Sequence, residues 1–237
     1  MPLFKRVTLS EFRDVPLVSA ILYDLVVQHG SADGLDYTSP NGNRVICECP
    51  THTATLKKTR IYFRGKNNTI HLGRMKGVAR LDVACIDGSQ VNMGSCDIVR
   101  GATIMASTQA HIEIGDGCMV SRDIIVYCSG AHGVYNSTDG ARRGSANISI
   151  ANRVWLGQGS RILAGAQIGE GSIIGSYSVL AGRVPNNCAA AGNPCRVTSR
   201  DVFWATEAVP DNYFLRSRSN GKKLPAFAKL TEILDNG

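Results

Sequence analysis

Large aliphatic residues recur at every sixth position late in the chain: Ile150, Leu156, Ile162, Ile168, Ile174 and Leu180. Four residues after the first five come Val154, Ser160, Ala166, Ser172 and Ser178, mostly small. Were about one residue in six Ile or Leu, six hits in one frame would arise by chance on the order of once in 50,000. A helix repeats every 3.6 residues and a strand every 2, so neither alone produces this spacing, but a short strand followed by a tight corner does. Three such units close a triangular coil. Coils stacked about 4.8 Å apart would set each aliphatic residue over its counterpart 18 residues on, with the small residue at the crowded corner. The pattern predicts a mainly β chain folded as a parallel β-helix.

The same period is expected upstream, with Ile86, Asn92, Ile98 and Ile104 in the large position and Gln90, Cys96, Ala102 and Thr108 four residues further on. After His111 the frame shifts, and Ile114, Val120 and Val126 take over. Ahead of the repeat, Phe12, Val15, Val18, Ile21, Leu22 and Leu25 recur at helical spacing behind Ser10, which predicts a helix over about 10–28 with Pro16 in its first turns. A loop from Gly30 to Asn43 leads to RVICE, ATLKK and RIYFRG, runs with β-branched and aromatic content that read as strands capping one end of the coil. The chain divides into a helix and short-strand cap over 1–69, a repeat domain over 70–200 and an irregular tail over 201–237. Residues 131–147, AHGVYNSTDGARRGSAN, break the repeat. A long loop inside a regular solenoid usually carries function, so the chemistry is to be sought there.

Composition narrows the classes. Of 237 residues, 43% are hydrophobic and 19% charged, which excludes general disorder, a collagen and a disulfide knot. Aromatics are 6% against 25 Gly, as a core of aliphatic side chains with many tight corners requires. The formal charge of +7 makes an anionic ligand or polymer a reasonable partner without implying nucleic acid, and none is expected. The eight Cys include no C-x-x-C, and the C-x-C at Cys47 and Cys49 has no matching second pair for zinc, so reduced thiols are expected. No stretch approaches the roughly 20 apolar residues of a membrane span, and MPLFKRVTLSEF lacks the apolar core of a signal peptide. A cytoplasmic protein without an integral membrane segment is expected.

The pattern [Ile/Leu/Val]-Gly-x-x-small-x, the run RVWLGQGSRILAGAQIGEGSIIGSYSVLAGRVP and its close in AAGNPCRV resemble the hexapeptide-repeat acyltransferases. The resemblance covers roughly 84–200 and implies a left-handed parallel β-helix. Within that superfamily the chain looks most like O-acetyltransferases of bacterial surface polysaccharides, of the capsule or O-antigen type. It implies acetyl coenzyme A as co-substrate, a saccharide acceptor, and a homotrimer whose donor site lies in the groove between adjacent prisms. Transfer to the amine of an amino sugar or sugar nucleotide is the alternative, and a non-catalytic structural β-helix a further one.

A lone His such as His132 is ordinarily a hydrogen-bonded loop residue. The resemblance, however, sets the catalytic histidine at the entry to such a loop, a little over one coil before a Val-Trp-[Ile/Leu]-Gly run, here Val154, Trp155, Leu156 and Gly157. A sugar hydroxyl is almost wholly protonated at pH 7, so its attack on a thioester needs a base of near-neutral pKa, which imidazole supplies. Family members often carry an Asp or Ser pair just before this histidine. Here the residues are Cys128, Ser129, Gly130 and Ala131, so the group orienting His132 stays open between Ser129, a backbone carbonyl and Asp139. Direct transfer needs no acyl-cysteine, although Cys128 is near.

Alternation turns Trp155 outward between Val154 and Leu156. An exposed Trp is either a surface or trimer-contact residue or, as the resemblance implies, a wall of the acceptor and thioester site, its indole excluding water or its N–H donating to the reacting groups. Outward Gly157, Gly175, Ala181 and Gly182 either admit a ligand to the backbone or serve tight corners. By resemblance the pantetheine arm lies beside Ser176, Ala181 and Gly182, Arg196 approaches the nucleotide phosphates, and Arg183 occupies a neighbouring corner. Tyr177 stacks near the adenine or packs on a neighbouring chain. Arg142 and Arg143, in the loop with His132, are either solvated or steer an acidic glycan. His29, His52, His71, His111 and His132 show no three-ligand spacing, and no metal is expected.

Overall fold

The computed structural model describes residues 18–21, 34–48, 59–77, 80–107, 109–128, 134–143, 146–206 and 223–232. Regular structure among them is all strand, sorted into three stacks that form the faces of a triangular prism. One coil runs through Arg80–Ile86 on the first face, Gln90–Met93 on the second and Asp97–Ile98 on the third. The next runs through Gly101–Ser107, His111–Ile114 and Met119–Val120, and the one after through Ile124–Tyr127, Ile148–Ile150 and Trp155–Leu156. Arg161–Leu163, Gln167–Ile168 and Ile173–Ile174 follow, then Val179–Leu180, Arg183–Val184 and Ala189–Gly192. Pairing between these coils is parallel throughout, which is the architecture that the six-residue spacing predicts.

The interior consists of aliphatic columns, one against each face. Val83, Ile104, Val126, Ile162 and Leu180 are consecutive register partners on the first, and Ile98, Val120, Leu156, Ile174 and Ala190 on the third. All are buried, each large member contributing about 1.5–3 kcal/mol of apolar burial. Ile162 pairs with Leu180, a step of 18, whereas Val126 pairs with Ile162, a step of 36. The loop therefore inserts one coil's worth of sequence without disturbing the stack. Val154, Ser160, Ala166, Ser172 and Ser178 are buried at the corners, as the small position requires.

The upstream frame is corrected. Ile98 and Ile104 point inward, but Asn92 is exposed and Ile86 half-exposed, while Val91, Met93, Val83 and Cys85 fill the interior. The reason is coil length: Val83 to Ile104 is 21 residues and Ile104 to Val126 is 22, because first-face strands there reach seven residues. A six-residue frame drifts across such coils.

The helix expected over 10–28 is likewise replaced at Val18–Ile21 by a strand antiparallel to Thr59–Arg64; its other residues lie outside the described ones. Thr59–Arg64 ends the parallel stack on the first face, and Val18–Ile21 pairs along its outer edge, whose N–H and C=O groups template an added strand. RVICE and RIYFRG form the strands Arg44–Cys47 and Thr59–Arg64, while ATLKK lies outside the described residues. Arg44–Cys47 already pairs in parallel with Thr69–Leu72, so the stack begins upstream of the boundary drawn at residue 70.

The far end closes differently. Cys195–Ser199 folds back antiparallel on Ala189–Gly192, and the described tail residues 201–206 and 223–232 dock under the last coil. Buried Asn187 is the anchor: its Nδ2 donates to the carbonyls of Val202, at 3.2 Å, and Phe227, at 2.9 Å. Asn186 Nδ2 donates to Leu230 O at 2.9 Å, and the Arg153 guanidinium sits 4.5 Å over the Phe227 ring.

Candidate active site

The chain leaves the first face after Tyr127 and returns at Ile148, so the loop springs from the corner between the first and second faces. Val134–Tyr135 pairs antiparallel with Arg142–Arg143 within it. Asn136 and Asp139 hold the connecting turn, their Oδ1 atoms accepting from the Thr138 and Ala141 N–H groups at 2.9 Å each. Asp139, one candidate for orienting His132, is thus engaged in its own turn. His132 and Ser129 lie outside the described residues.

Cys128, the last described residue before the loop, is buried, and the Ser107 N–H donates to its Sγ at 3.2 Å. Burial pushes its thiol pKa up, which disfavours the thiolate an acyl-cysteine would need. Cys85, pushed up to about 12 by burial, is inert for the same reason.

Trp155 points outward from the third face, half-buried, between Val154 and Leu156, which are fully inside. Its Nε1 donates to Ser121 Oγ at 3.2 Å, so the ring rather than the N–H is what the indole offers a ligand. Trp204 stands against it, a residue that the reading of the sequence passed over. Their ring centroids are 6.1 Å apart, tilted by 52°, and Trp204 Nε1 donates to Arg153 O at 2.7 Å. These are the chain's two tryptophans. In the sequence the tail offers two adjacent aromatic pairs, Phe203–Trp204 and Tyr213–Phe214, and nothing local marks which of them meets Trp155.

Ser176 and Tyr177 are exposed at the corner following the third face, where Gln158 Nε2 donates to the Tyr177 hydroxyl at 2.9 Å. Ala181 and Gly182 are exposed at the corner from which the loop springs, two coils further on, and Arg183 projects from the second face beyond them. Arg196 is exposed on the returning strand, its Nη1 donating to Cys195 O at 2.9 Å. The glycines part company. A Cβ at Gly157 would lie 2.6 Å from Ile174 O, so its smallness serves coil stacking, whereas nothing lies within 4 Å of one at Gly182 and the backbone there is bare to a ligand.

The site residues named from sequence thus fall into two groups. Trp155, Ser176 and Tyr177 belong to the third face and its edge; Arg142, Arg143, Ala181 and Gly182 belong to the corner opposite that face. One prism does not bring the groups together. Among the described residues, no cluster of three or more His, Cys, Asp or Glu could hold a metal ion, and no helix is long and apolar enough to cross a membrane.

A β-helix of hexapeptide coils with a loop inserted between the first and second faces and an outward Trp defines the class, and comparison with known proteins narrows it. Residues 147–182 match the family described as Bacterial transferase hexapeptide (six repeats). The chain is 31% identical over 125 residues to a polysialic acid O-acetyltransferase of Escherichia coli O1:K1, covering 52% of this chain and 41% of the relative. It is 33% identical over 86 residues to the galactoside O-acetyltransferase of Escherichia coli K12, covering 36% and 42%. It therefore spans about two fifths of these curated relatives. The crystal structure of the polySia-specific acetyltransferase NeuO superposes with a TM-score of 0.60 at 27% identity, over 75% of this chain and 80% of that one. The polysialic acid O-acetyltransferase OatWY, at 20% identity and a TM-score of 0.55, shares the fold. The coils over residues 147–182 carry the hexapeptide-transferase pattern, and the chain shares the β-helix fold of these acetyltransferase structures.

Proposed function

We propose that the protein transfers an acetyl group from acetyl coenzyme A to a hydroxyl of a sugar residue in a bacterial surface polysaccharide. The observation that carries the reading is the register step of 36 between Val126 and Ile162, which hangs a polar loop on a stack whose next step is 18. The O-acetyltransferase names of its relatives support it.

His132 takes the proton from the acceptor hydroxyl as that oxygen attacks the thioester carbonyl; a carbon–oxygen bond forms, the carbon–sulfur bond breaks, and the thiol leaves with a proton. Acetyl coenzyme A supplies the acyl group and the leaving thiol. Trp155 walls the reacting centre with its ring, and exposed Ser176, Ala181 and Gly182 flank the pantetheine arm, with Arg196 toward the phosphates. Because the two groups of residues sit on opposite sides of one prism, the site is completed between neighbouring copies in a homotrimer. Incubation with acetyl coenzyme A and a panel of glycans, following thiol release and product mass, tests the reading. Acetylation of an amino sugar alone, or no transfer to any glycan, would overturn it.

Trp204 holds the Trp155 ring in place. Trp204→Ala is expected to lower kcat/KM by up to about tenfold, the energy of one aromatic pair, with Trp204→Phe restoring most of it. Equal activity of wild type and Trp204→Ala would remove this role. Arg142 and Arg143 steer an acidic acceptor. The double variant Arg142→Ala/Arg143→Ala should raise the acceptor KM more than the donor KM, and added salt should narrow the difference from wild type. An acceptor KM indifferent to both points to a neutral sugar.

A further inference from the structure

The first face carries a cleft that the transfer reaction does not use. It has a volume of about 410 Å³, within the range of small-ligand sites, and is floored by Gly101, Thr103 and Ile125. Arg80, Arg100 and Arg161 stand around it. Thr103 and Ile125 are outward partners on neighbouring coils, and Arg161 and Asp82 are the next partners along the same column, so the charged groups close the two ends of a short trough.

The charges are arranged for an anion. Asp82, nearly buried at one end, is taken by Arg60, whose Nε and Nη2 reach its two oxygens at 2.5 and 2.6 Å, and Arg80 also pairs with it at 3.1 Å. Arg161 Nη1 donates to the carbonyls of Asp123 and Gly159, at 2.9 and 2.7 Å, which fixes that guanidinium and leaves the rest of its fork. Arg100 is exposed. Against these stand Asp82 and exposed Asp123, so with Arg60 included positive charge is in excess. A second hollow of about 410 Å³ shares Arg80, Asp82 and Thr103 and turns apolar over Tyr62, Ala84 and Met105.

Small polar and apolar flooring between guanidinium groups suits sugar rings bearing carboxylates. The cleft also lies on the loop's own strand. Ile125 floors it, and the chain enters the loop after Cys128, three residues or about 10 Å further along the face. A polymer lying in the cleft would cover that span in a few sugar units.

We propose that this cleft is a second binding site for a carboxylated saccharide chain, holding the polymer beside the transfer site. The proposal rests on the acetyl-transfer reading only for the fate of the bound chain; binding itself is independent of it. The test is calorimetric titration of the intact protein, without donor, using an oligosialic acid hexamer, the same hexamer with its carboxyls reduced, and inorganic phosphate. The acidic hexamer is expected to bind, and to bind at least tenfold more weakly in Arg80→Ala/Arg100→Ala, in Thr103→Trp, which fills the floor, and in high salt. The reduced hexamer should not bind. Unchanged affinity in both variants, equal binding of the reduced hexamer, or displacement of the acidic hexamer by millimolar phosphate would overturn the proposal. Transfer to a short acceptor should survive in both variants. If no glycan is acetylated yet the acidic hexamer binds through these residues, the transfer reading fails and the cleft stands; if acetylation proceeds and the hexamer ignores the variants, the reverse holds.

Discussion

Replacing His132 by alanine is expected to lower acetyl transfer by about 100-fold or more while leaving thermal stability and coenzyme A binding close to wild type. Losing a general base typically costs 10² to 10⁴ in rate, because the hydroxyl must then give its proton to solvent as it attacks. Stability should hold because the stack closes without the loop: Ile112 pairs directly with Ile148, and Val126 with Ile162, across the insertion. Cys128 offers no alternative route, being buried with its thiol held protonated. The measurement is steady-state turnover beside a melting curve for the same preparation. Turnover within a few-fold of wild type would move the base elsewhere, with His111 next; that ring is exposed on the second face, its Nδ1 3.2 Å from Gln90 Oε1.

What the sequence makes legible follows from how local each cause is. A short strand and its corner occupy six consecutive residues, so Ile150 through Leu180 announce both the coil and which side chains face inward. Trp155 could be turned outward by alternation alone. The coils before His111 hide the same geometry, since seven-residue strands lengthen each coil to 21 or 22 residues and Asn92 lands on the surface. The strand at Val18–Ile21 is set by pairing along the outer edge of Thr59–Arg64, a partner some 40 residues away, which outweighs a local helical spacing. Trp204 reaches Trp155 where Asn187, 15 residues before Val202, pins the start of the tail beneath the last coil and Arg153 O accepts from the Trp204 indole. No local pattern encodes such a contact. The division of the candidate site residues between one corner and the opposite face is also a property of the closed triangle, invisible until the three faces are assigned.

Asn68→Ala is expected to be among the most destabilising single changes in the described part of the chain, by about 2–6 kcal/mol. Asn68 is fully buried at the corner between the first and second faces, where Asn43, Asn68 and Ser89 stack on successive levels. Its Nδ2 donates at 2.9 Å both to Arg64 O and to Asn43 Oδ1, and its Oδ1 accepts from the Ser89 N–H at 3.0 Å. Asn43 in turn donates from Nδ2 to Gly65 O at 3.1 Å, and Ser89 Oγ to Ala106 O at 3.0 Å, so one amide ties the ladder together. Truncation strands the Ser89 N–H where water does not reach, at about 1–3 kcal/mol, and removes the two bonds given to Arg64 O and Asn43 Oδ1, at about 0.5–1.5 kcal/mol each, although Arg64 O keeps the Asp87 N–H at 3.0 Å. Asn68→Asp should be no better, since it removes the donor and sets a buried carboxylate against the oxygens of Arg64 and Asn43. Asn92→Ala, on the exposed side of the second face, is the control and should cost under about 0.5 kcal/mol. Urea unfolding of the three variants measures the difference. Were Asn68→Ala to unfold at the same midpoint as Asn92→Ala, the polar corner would be incidental, and stability of these early coils would rest on the aliphatic columns alone.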